Sequence, residues 1–157
     1  MKQLLNISDM VRSHARLRPN DTGAMDSRRS LSFDQWDRRA DGLAAALLAQ
    51  GLNHGDRVAV LAHNCIEWLE IYVGLARAGL VALPLNFRLT GHEIAYILQD
   101  AKAAALLCTR VLQDRVQEVM PALALRAHVQ IGGDTQDGWL DYEKLIHQAV
   151  VPARWPE

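Results

Sequence analysis

The sequence lacks the closely spaced glycines that let successive backbone N–H groups approach a phosphate. Its ten glycines are scattered, and the one adjacent pair, Gly132-Gly133, is not followed by Lys and Ser or Thr. Neither G-x-G-x-x-G nor G-x-x-x-x-G-K occurs, so a stand-alone dinucleotide or P-loop site has no support. Cysteine is equally sparse. Cys65 and Cys108 lie in apolar neighbourhoods with no C-x-x-C or Cys/His spacing, which argues against a disulfide scaffold or zinc site and for buried, reduced thiols. Charge of one sign is missing too: 17 basic against 18 acidic side chains give a net charge of -1 with no polybasic block, so nothing favours nucleic acid or an anionic membrane. No apolar run reaches the roughly 18 residues of a membrane span, and the amino-terminal stretch has no signal-peptide core. The expectation is a cytoplasmic protein.

What remains is an ordinary globular composition, 50% hydrophobic and 22% charged over 157 residues, enough for one core. A first helix is predicted from about Ile7 to Leu17, capped by Asn6 or Ser8 and closed before Pro19. A hairpin follows, with Thr22 to Met25 and Ser30 to Ser32 around the turn Asp26 to Arg29. Trp36, Ala40, Leu43, Ala44, Leu47 and Leu48 recur at three- and four-residue intervals. Together with a Ser32/Gln35 capping box and a left-handed exit at Gly51, they predict an amphipathic helix.

From Asp56 the pattern changes to short runs that are apolar on both faces, as in strands of a covered parallel sheet: Arg57 to Ala62, Leu80 to Leu83, Ala104 to Cys108 and, more weakly, His128 to Ile131. Helices alternate with them. One runs from Cys65 to Ala78, bracketed by Asn64 and Glu67, with one narrow stripe of Glu67, Glu70, Gly74 and Arg77 on an otherwise apolar surface. Another starts at Thr90/Glu93 and buries Ile94, Ile97, Leu98 and Ala101. A last helix spans Asp141 to Ala149, and Val151 to Glu157, with Pro152 and Pro156, reads as an extended exit without a partner. The fold class expected is α/β, a doubly wound, mainly parallel sheet flanked by helices and preceded by an N-terminal helix and β-hairpin.

Ligands of open parallel sheets bind outside the carboxyl ends of the strands. The loops to search are therefore His63-Asn64-Cys65, Pro84 to Arg88, and Thr109-Arg110. The six histidines show no metal-ligand spacing; His63 stands apart only because it ends a strand. Cys65 at a helix start could have a lowered pKa, but a small buried hydrophobe is the reading its apolar setting favours. Glu67 and Glu70 share a helix face with Arg77 two turns on, which reads as a structural stripe rather than an acid/base pair. Arg88 differs in kind, being a permanent cation at the ligand edge able to grip a phosphate with two donors.

The run from Ser30 to Cys108 resembles the N-terminal subdomain of the adenylate-forming superfamily, through GDRVAVLAHN (Gly55 to Asn64), LARAGLVALPLN (Leu75 to Asn86) and NFRLTGHEIAYILQDAKAAALL (Asn86 to Leu107). LNFRLT places it with the fatty-acid and aryl-CoA ligases. The resemblance implies an AMP-forming reaction in two steps: ATP and a carboxylate give acyl-adenylate and pyrophosphate, and the thiol of CoA then displaces AMP. It implies ATP, Mg2+ and CoA as cofactors of the complete enzyme, none held tightly by this chain. Residues 1–157 would be a partial AMP-binding domain, with 151–157 leading toward the remainder. The Ser/Thr/Gly-rich loop ending Pro-Lys-Gly, the magnesium-binding Glu and the catalytic Lys of the family have no counterpart here, so the chain carries no catalytic residue and no metal ligand and is expected to be inactive alone. Arg88 is the one ligand contact the resemblance transfers, toward a phosphate of CoA; Asn86 is read as a turn residue.

A different reading makes the chain a complete, non-catalytic α/β binding or regulatory module derived from such an enzyme. The apolar surface of the helix from Cys65 to Ala78 favours the incomplete ligase, because a free-standing module would have exchanged that surface for polar residues. Self-association through an exposed face is the corresponding expectation.

Overall fold

The computed structural model describes residues 6–153 and 155. Asn6 opens α1 (Ile7–Leu17) with a reciprocal cap: its side-chain oxygen accepts from Ser8 N and Asp9 N, while the Asp9 carboxylate accepts from Asn6 N. The hairpin strands are β1 (Thr22–Met25) and β2 (Ser30–Ser32), paired antiparallel. Ser32 then caps α2 (Phe33–Ala49) through the predicted Ser32/Gln35 box.

The main sheet is entirely parallel, in the order β4-β3-β5-β6-β7, from β3 (Arg57–Leu61), β4 (Val81–Pro84), β5 (Ala103–Thr109), β6 (Ala127–Ile131) and β7 (Leu140–Asp141). Between them run α3 (Glu67–Arg77), α4 (Gly91–Asp100), the 3-10 turns Arg110–Arg115 and Met120–Ala122, and, at the end, α5 (Tyr142–Gln148). Period-two alternation sorts the strand side chains to two cores. Val58, Val60, Ala105, Leu107, Val129 and Ile131 meet Leu43, Leu47, Ile71, Leu75 and Ile146 from α2, α3 and α5. Ala59, Leu61, Leu106 and Cys108 meet Ile94, Leu98, Leu112 and Val116 on the other face. The sheet is thus doubly wound as expected, and a third, smaller cluster of Val11, Ala24, Leu31, Trp36, Ile66 and Val73 fastens α1 and the hairpin to α2 and α3.

Four expectations need correction. The strand at Leu80 to Leu83 is covered only in part: Leu80 and Ala82 pack toward one core and Leu83 toward the other, but β4 is the sheet edge, with Val81 48% exposed. Asn64 and Glu67 do not cap α3, whose N-cap, Ile66, is helical and has no side-chain cap of its own. The start of α3 is instead held from outside, by Asp26 of the hairpin turn, whose Oδ2 accepts from Ile66 N at 3.2 Å. The stretch after α5 is not without a partner: Trp155 packs against the larger core, and Val151, Pro152 and Ala153 face Arg12, Arg16 and Asp37 across a shallow hollow. Arg154, Pro156 and Glu157 lie outside the described residues. Finally, β7 and both 3-10 turns have no counterpart in the sequence reading, because segments of two, six and three residues are too short to sustain a repeated hydrophobic pattern.

Candidate functional site

From β3 the chain moves through α3 to β4 on one side, then returns through α4 to β5 on the other side of β3. The two directions part between β3 and β5, and the crevice outside the carboxyl ends there is where doubly wound sheets bind ligands. The three loops singled out from the sequence all leave the sheet at this edge, and the first two touch. His63 and Phe87 stand with ring centroids 4.6 Å apart at 64°. The Arg88 guanidinium lies 5.7 Å from the Phe87 centroid, within cation–π range. Asn86 is the turn residue expected: its Oδ1 accepts from Arg88 N at 2.9 Å. His63, Asn86 and Arg88 are exposed, and Arg88 forms no salt bridge among the described residues. Thr109, at the tip of the central strand, buries a hydroxyl oxygen that finds no hydrogen-bond partner.

Beside these loops a hollow of about 520 Å³ is lined by Met25, Asp26, Asn64, Cys65, Trp68, Tyr72 and Pro84 among others. Cys65 does not have the lowered pKa weighed from its place near a helix start. Burial, reinforced by the neighbouring Glu67 carboxylate, pushes its thiol up to about 12, so it is no nucleophile at neutral pH. A larger hollow of about 720 Å³ lies on the α4 face between Gln113, Met120, His128 and Trp139, and shares no residue with the three loops singled out from the sequence. Burial holds His128 below the ordinary histidine range, so it is neutral at physiological pH.

Glu67 and Glu70 serve structure, though the stripe they belong to points inward rather than to solvent. Glu70 is fully buried and accepts from Arg39 Nε and Nη2 (2.9 and 3.0 Å), Arg29 Nη2 (3.1 Å) and the Tyr142 hydroxyl (2.8 Å). One turn beyond Gly74, Arg77 donates to Asp37 (2.6 Å), Asp41 (2.8 Å) and the Ser8 hydroxyl (2.9 Å). The spacing of polar residues along α3 is enough to mark this seam. It does not reveal the partners, which come from α1, the hairpin, α2 and α5.

Several acidic side chains are thus committed to structure. Glu70, Asp37 and Asp41 face arginines, while Glu93 and Asp141 cap helices. Among the described residues no three His, Cys, Asp or Glu side chains gather where a metal ion could sit, and no helix is long and apolar enough to cross a membrane.

The AMP-binding enzyme family model matches residues 11–156. The chain belongs to that family. Among its curated relatives are the fatty acid–[acyl-carrier-protein] ligase ScoC of Streptomyces coeruleorubidus, 35% identical over 133 residues (83% of this chain, 25% of that protein), and the indoleacetate–CoA ligase of Aromatoleum aromaticum, 32% identical over 145 residues (92% and 28%). A solved structure assigned as a long-chain-fatty-acid CoA ligase, from Rhodopseudomonas palustris, superposes with a TM-score of 0.88 at 32% identity, covering 98% of this chain and 38% of that one. The anthranilate–CoA ligase AuaEII, at 24% identity, shares the fold with a TM-score of 0.91 over 99% of this chain and 30% of its own. The chain spans about a quarter of the length of these curated relatives.

Proposed function

We propose that the chain is the amino-terminal subdomain, residues 1–157, of an ATP-dependent carboxylate–CoA ligase that joins a fatty or aryl acid to CoA with release of AMP and pyrophosphate. The observation that carries this is its 32% identity to the Rhodopseudomonas palustris structure across 98% of its length, with the same doubly wound sheet. In this reading the segment 151–157 leads into the remainder of the enzyme, and the enzyme works in the cytoplasm.

AMP-forming ligases use ATP, Mg2+ and CoA. The described residues do not fit the first two, since no three His, Cys, Asp or Glu side chains gather among them to hold a metal ion and the glycines do not form a phosphate cradle. No catalytic step is assigned to this chain. Its role is to wall the crevice with a rigid sheet edge and to present Arg88 to a phosphate of CoA, for which a guanidinium without a carboxylate partner is suited. The chain alone is then inactive: ATP–pyrophosphate exchange with any carboxylic acid should be absent, and measurable exchange would overturn the reading.

A chimera tests the positive half. Replacing the matching segment of the Aromatoleum aromaticum ligase with residues 11–156 should leave a protein that still forms thioesters, and substituting Arg88→Gln within it should raise the KM for CoA more than that for ATP. An inactive but folded chimera would count against the proposal. The apolar side chains Met25, Leu69 and Tyr72, 70%, 37% and 38% exposed, are the surface through which the separate chain is expected to self-associate. A concentration-independent monomer in size-exclusion chromatography would refute that.

A further inference from the structure

We propose that the hollow of about 720 Å³ between the 3-10 turn Arg110–Arg115, β6 and the loop leading to β7 binds an uncharged aromatic molecule through its hydrogen-bond donors, of the phenol or aryl-amine class. This site is separate from the Arg88 loops and does not depend on the ligase reading.

Strand β6 alternates in an unusual way. Ala127, Val129 and Ile131 enter the larger core, but the opposite face, which β5 fills with Leu106 and Cys108, carries His128 and Gln130. Gln130 is 1% exposed and fully used: its Nε2 donates to Gly132 O (2.8 Å) and Asp134 O (2.9 Å), and its Oε1 accepts from Gln136 N and Gln113 Nε2 (3.0 Å each). These partners shape the loop before β7, and they also fix the second amide. Because Gln130 offers only an acceptor, Gln113 must turn its Nε2 inward, which leaves its Oε1 free. Gln113 is 2% exposed and lines the hollow, and that oxygen is buried with no hydrogen-bond partner among the described residues. His128 Nε2 is buried and unpartnered in the same hollow. Burial pushes the His128 pKa down, and a hydrogen bond to the Gly138 backbone raises it, as only an accepting carbonyl would. The ring therefore donates from Nδ1, and Nε2 of the neutral imidazole is an acceptor. Two buried acceptors without a donor are costly unless a ligand supplies one, and they select for O–H or N–H groups. The walls are Met120, Pro121 and the Trp139 ring, whose centroid lies 5.8 Å from that of His128, which suits a flat apolar body. Asp137, exposed on the lining, turns away carboxylates and phosphates. The volume is that of a small-molecule pocket.

The test is a titration of the 157-residue chain followed by NMR at the Gln113 side-chain amide and the His128 and Trp139 rings. The probes share one ring: resorcinol has two hydroxyl donors, 1,3-dimethoxybenzene has none, and benzoate carries a charge. Resorcinol should shift all three signals and bind about fivefold or more tightly than the ether. A hollow that bound by burial alone would prefer the ether, which is the more apolar. Benzoate should bind more weakly than resorcinol. His128→Asn keeps a donor near the Nδ1 position but has no atom at Nε2; with an unchanged unfolding midpoint, it should weaken resorcinol about threefold or more and leave the ether as it was. Should that variant fail to fold, the resorcinol and ether pair on the unsubstituted chain decides. A preference for the ether, benzoate as tight as resorcinol, shifts confined to other residues, or a folded His128→Asn that binds resorcinol undiminished overturns the proposal.

Discussion

Glu70 offers the sharpest test of what holds this fold together. Its carboxylate is fully buried and is shared by two arginines and a tyrosine from three other elements. Replacement by Gln keeps the volume but removes the charge, leaving Arg39, whose side chain is only 13% exposed, facing a neutral amide. Removing one partner of a buried ion pair costs about 3–5 kcal/mol, because the remaining charge loses its compensation. Two features pull the value to the lower end. Arg39 also holds Glu143 through Nη1 and Nη2 at 2.8 and 2.6 Å, and Arg29 also holds Glu67 at 3.0 Å, so neither guanidinium is orphaned. The amide can still accept one hydrogen bond and donate another to the Tyr142 hydroxyl.

The expected loss is about 3 kcal/mol, equivalent to a fall of about 6–12 °C in the unfolding midpoint for a domain of this size. Urea unfolding followed by tryptophan fluorescence measures it, with an unchanged slope showing that the surface exposed on unfolding is the same. Trp36, whose Nε1 donates to Leu69 O at 3.0 Å one residue before Glu70, is a local reporter. In the double variant Glu70→Gln/Arg39→Gln the losses should sum to less than their total, since both remove the same contact. A loss below about 1 kcal/mol would refute the reasoning, because it would place the seam in the energetic class of exposed ion pairs.

Gly42 faces the carbonyl of Ile146 so closely that a Cβ would fall inside its van der Waals shell. Gly42→Ala gains about 1 kcal/mol of helix propensity but must push α5 off α2. The overlap is with backbone, so overpacking wins and a net loss of about 1–2 kcal/mol is expected by chemical denaturation. Acid should destabilise the protein. The backbone amides and Arg39 that Asp26, Asp141 and Glu143 face hold these carboxyls below their ordinary 3.8 to 4.5 range. The unfolded chain therefore takes up protons first, and stability present at neutral pH falls as pH drops through about 4.5 and below. The midpoint at pH 3.5 should lie under that at pH 7; equal midpoints would contradict the assignment. Burial pushes both thiols up to about 12. Cys108, fully buried on β5, should react with a thiol reagent only in denaturant, and half-buried Cys65 slowly in buffer.

Elements with a full period of pattern were legible from the sequence. The helix after Ser32, the hairpin bounds and the strand at Ala104 to Cys108 follow from local spacing and capping chemistry, and each recurs in the structure. What escaped depends on contacts between segments far apart in the chain. Asn64 and Glu67 have the spacing of a cap, yet the α3 amide is taken by Asp26, forty residues earlier, because the hairpin turn folds over the helix start. The polar stripe of α3 was visible, but its burial was not, since only the arrival of Arg29, Arg39, Asp37, Asp41 and Tyr142 decides that it faces inward. The three loops at the sheet's carboxyl end could be named in advance because parallel topology alone puts them at one edge. The pairing of His63 with Phe87 could not, since it needs the strands in register.

The edge strand shows how the same sequence limits the ways this face can be used. Val81 N and Leu85 N turn toward β3, onto Asp56 O and Val60 O at 2.9 Å each, so alternation leaves Ala82 and Pro84 facing outward. Proline has no amide hydrogen. The outer ladder of β4 therefore offers one donor where an added strand would look for two. A partner or second copy cannot extend this sheet with a full set of hydrogen bonds, although the strand is uncovered and Val81 is 48% exposed. Association of the separate chain, if it runs through this side, must use side-chain burial on Met25, Leu69 and Tyr72 rather than backbone pairing. The two modes respond oppositely to substitution. Tyr72→Lys should abolish self-association in sedimentation velocity, whereas Pro84→Val, which restores the missing donor, should strengthen it or lead to sheet-type aggregation; an aggregate that formed without Pro84→Val and survived Tyr72→Lys would show that the edge pairs despite its proline.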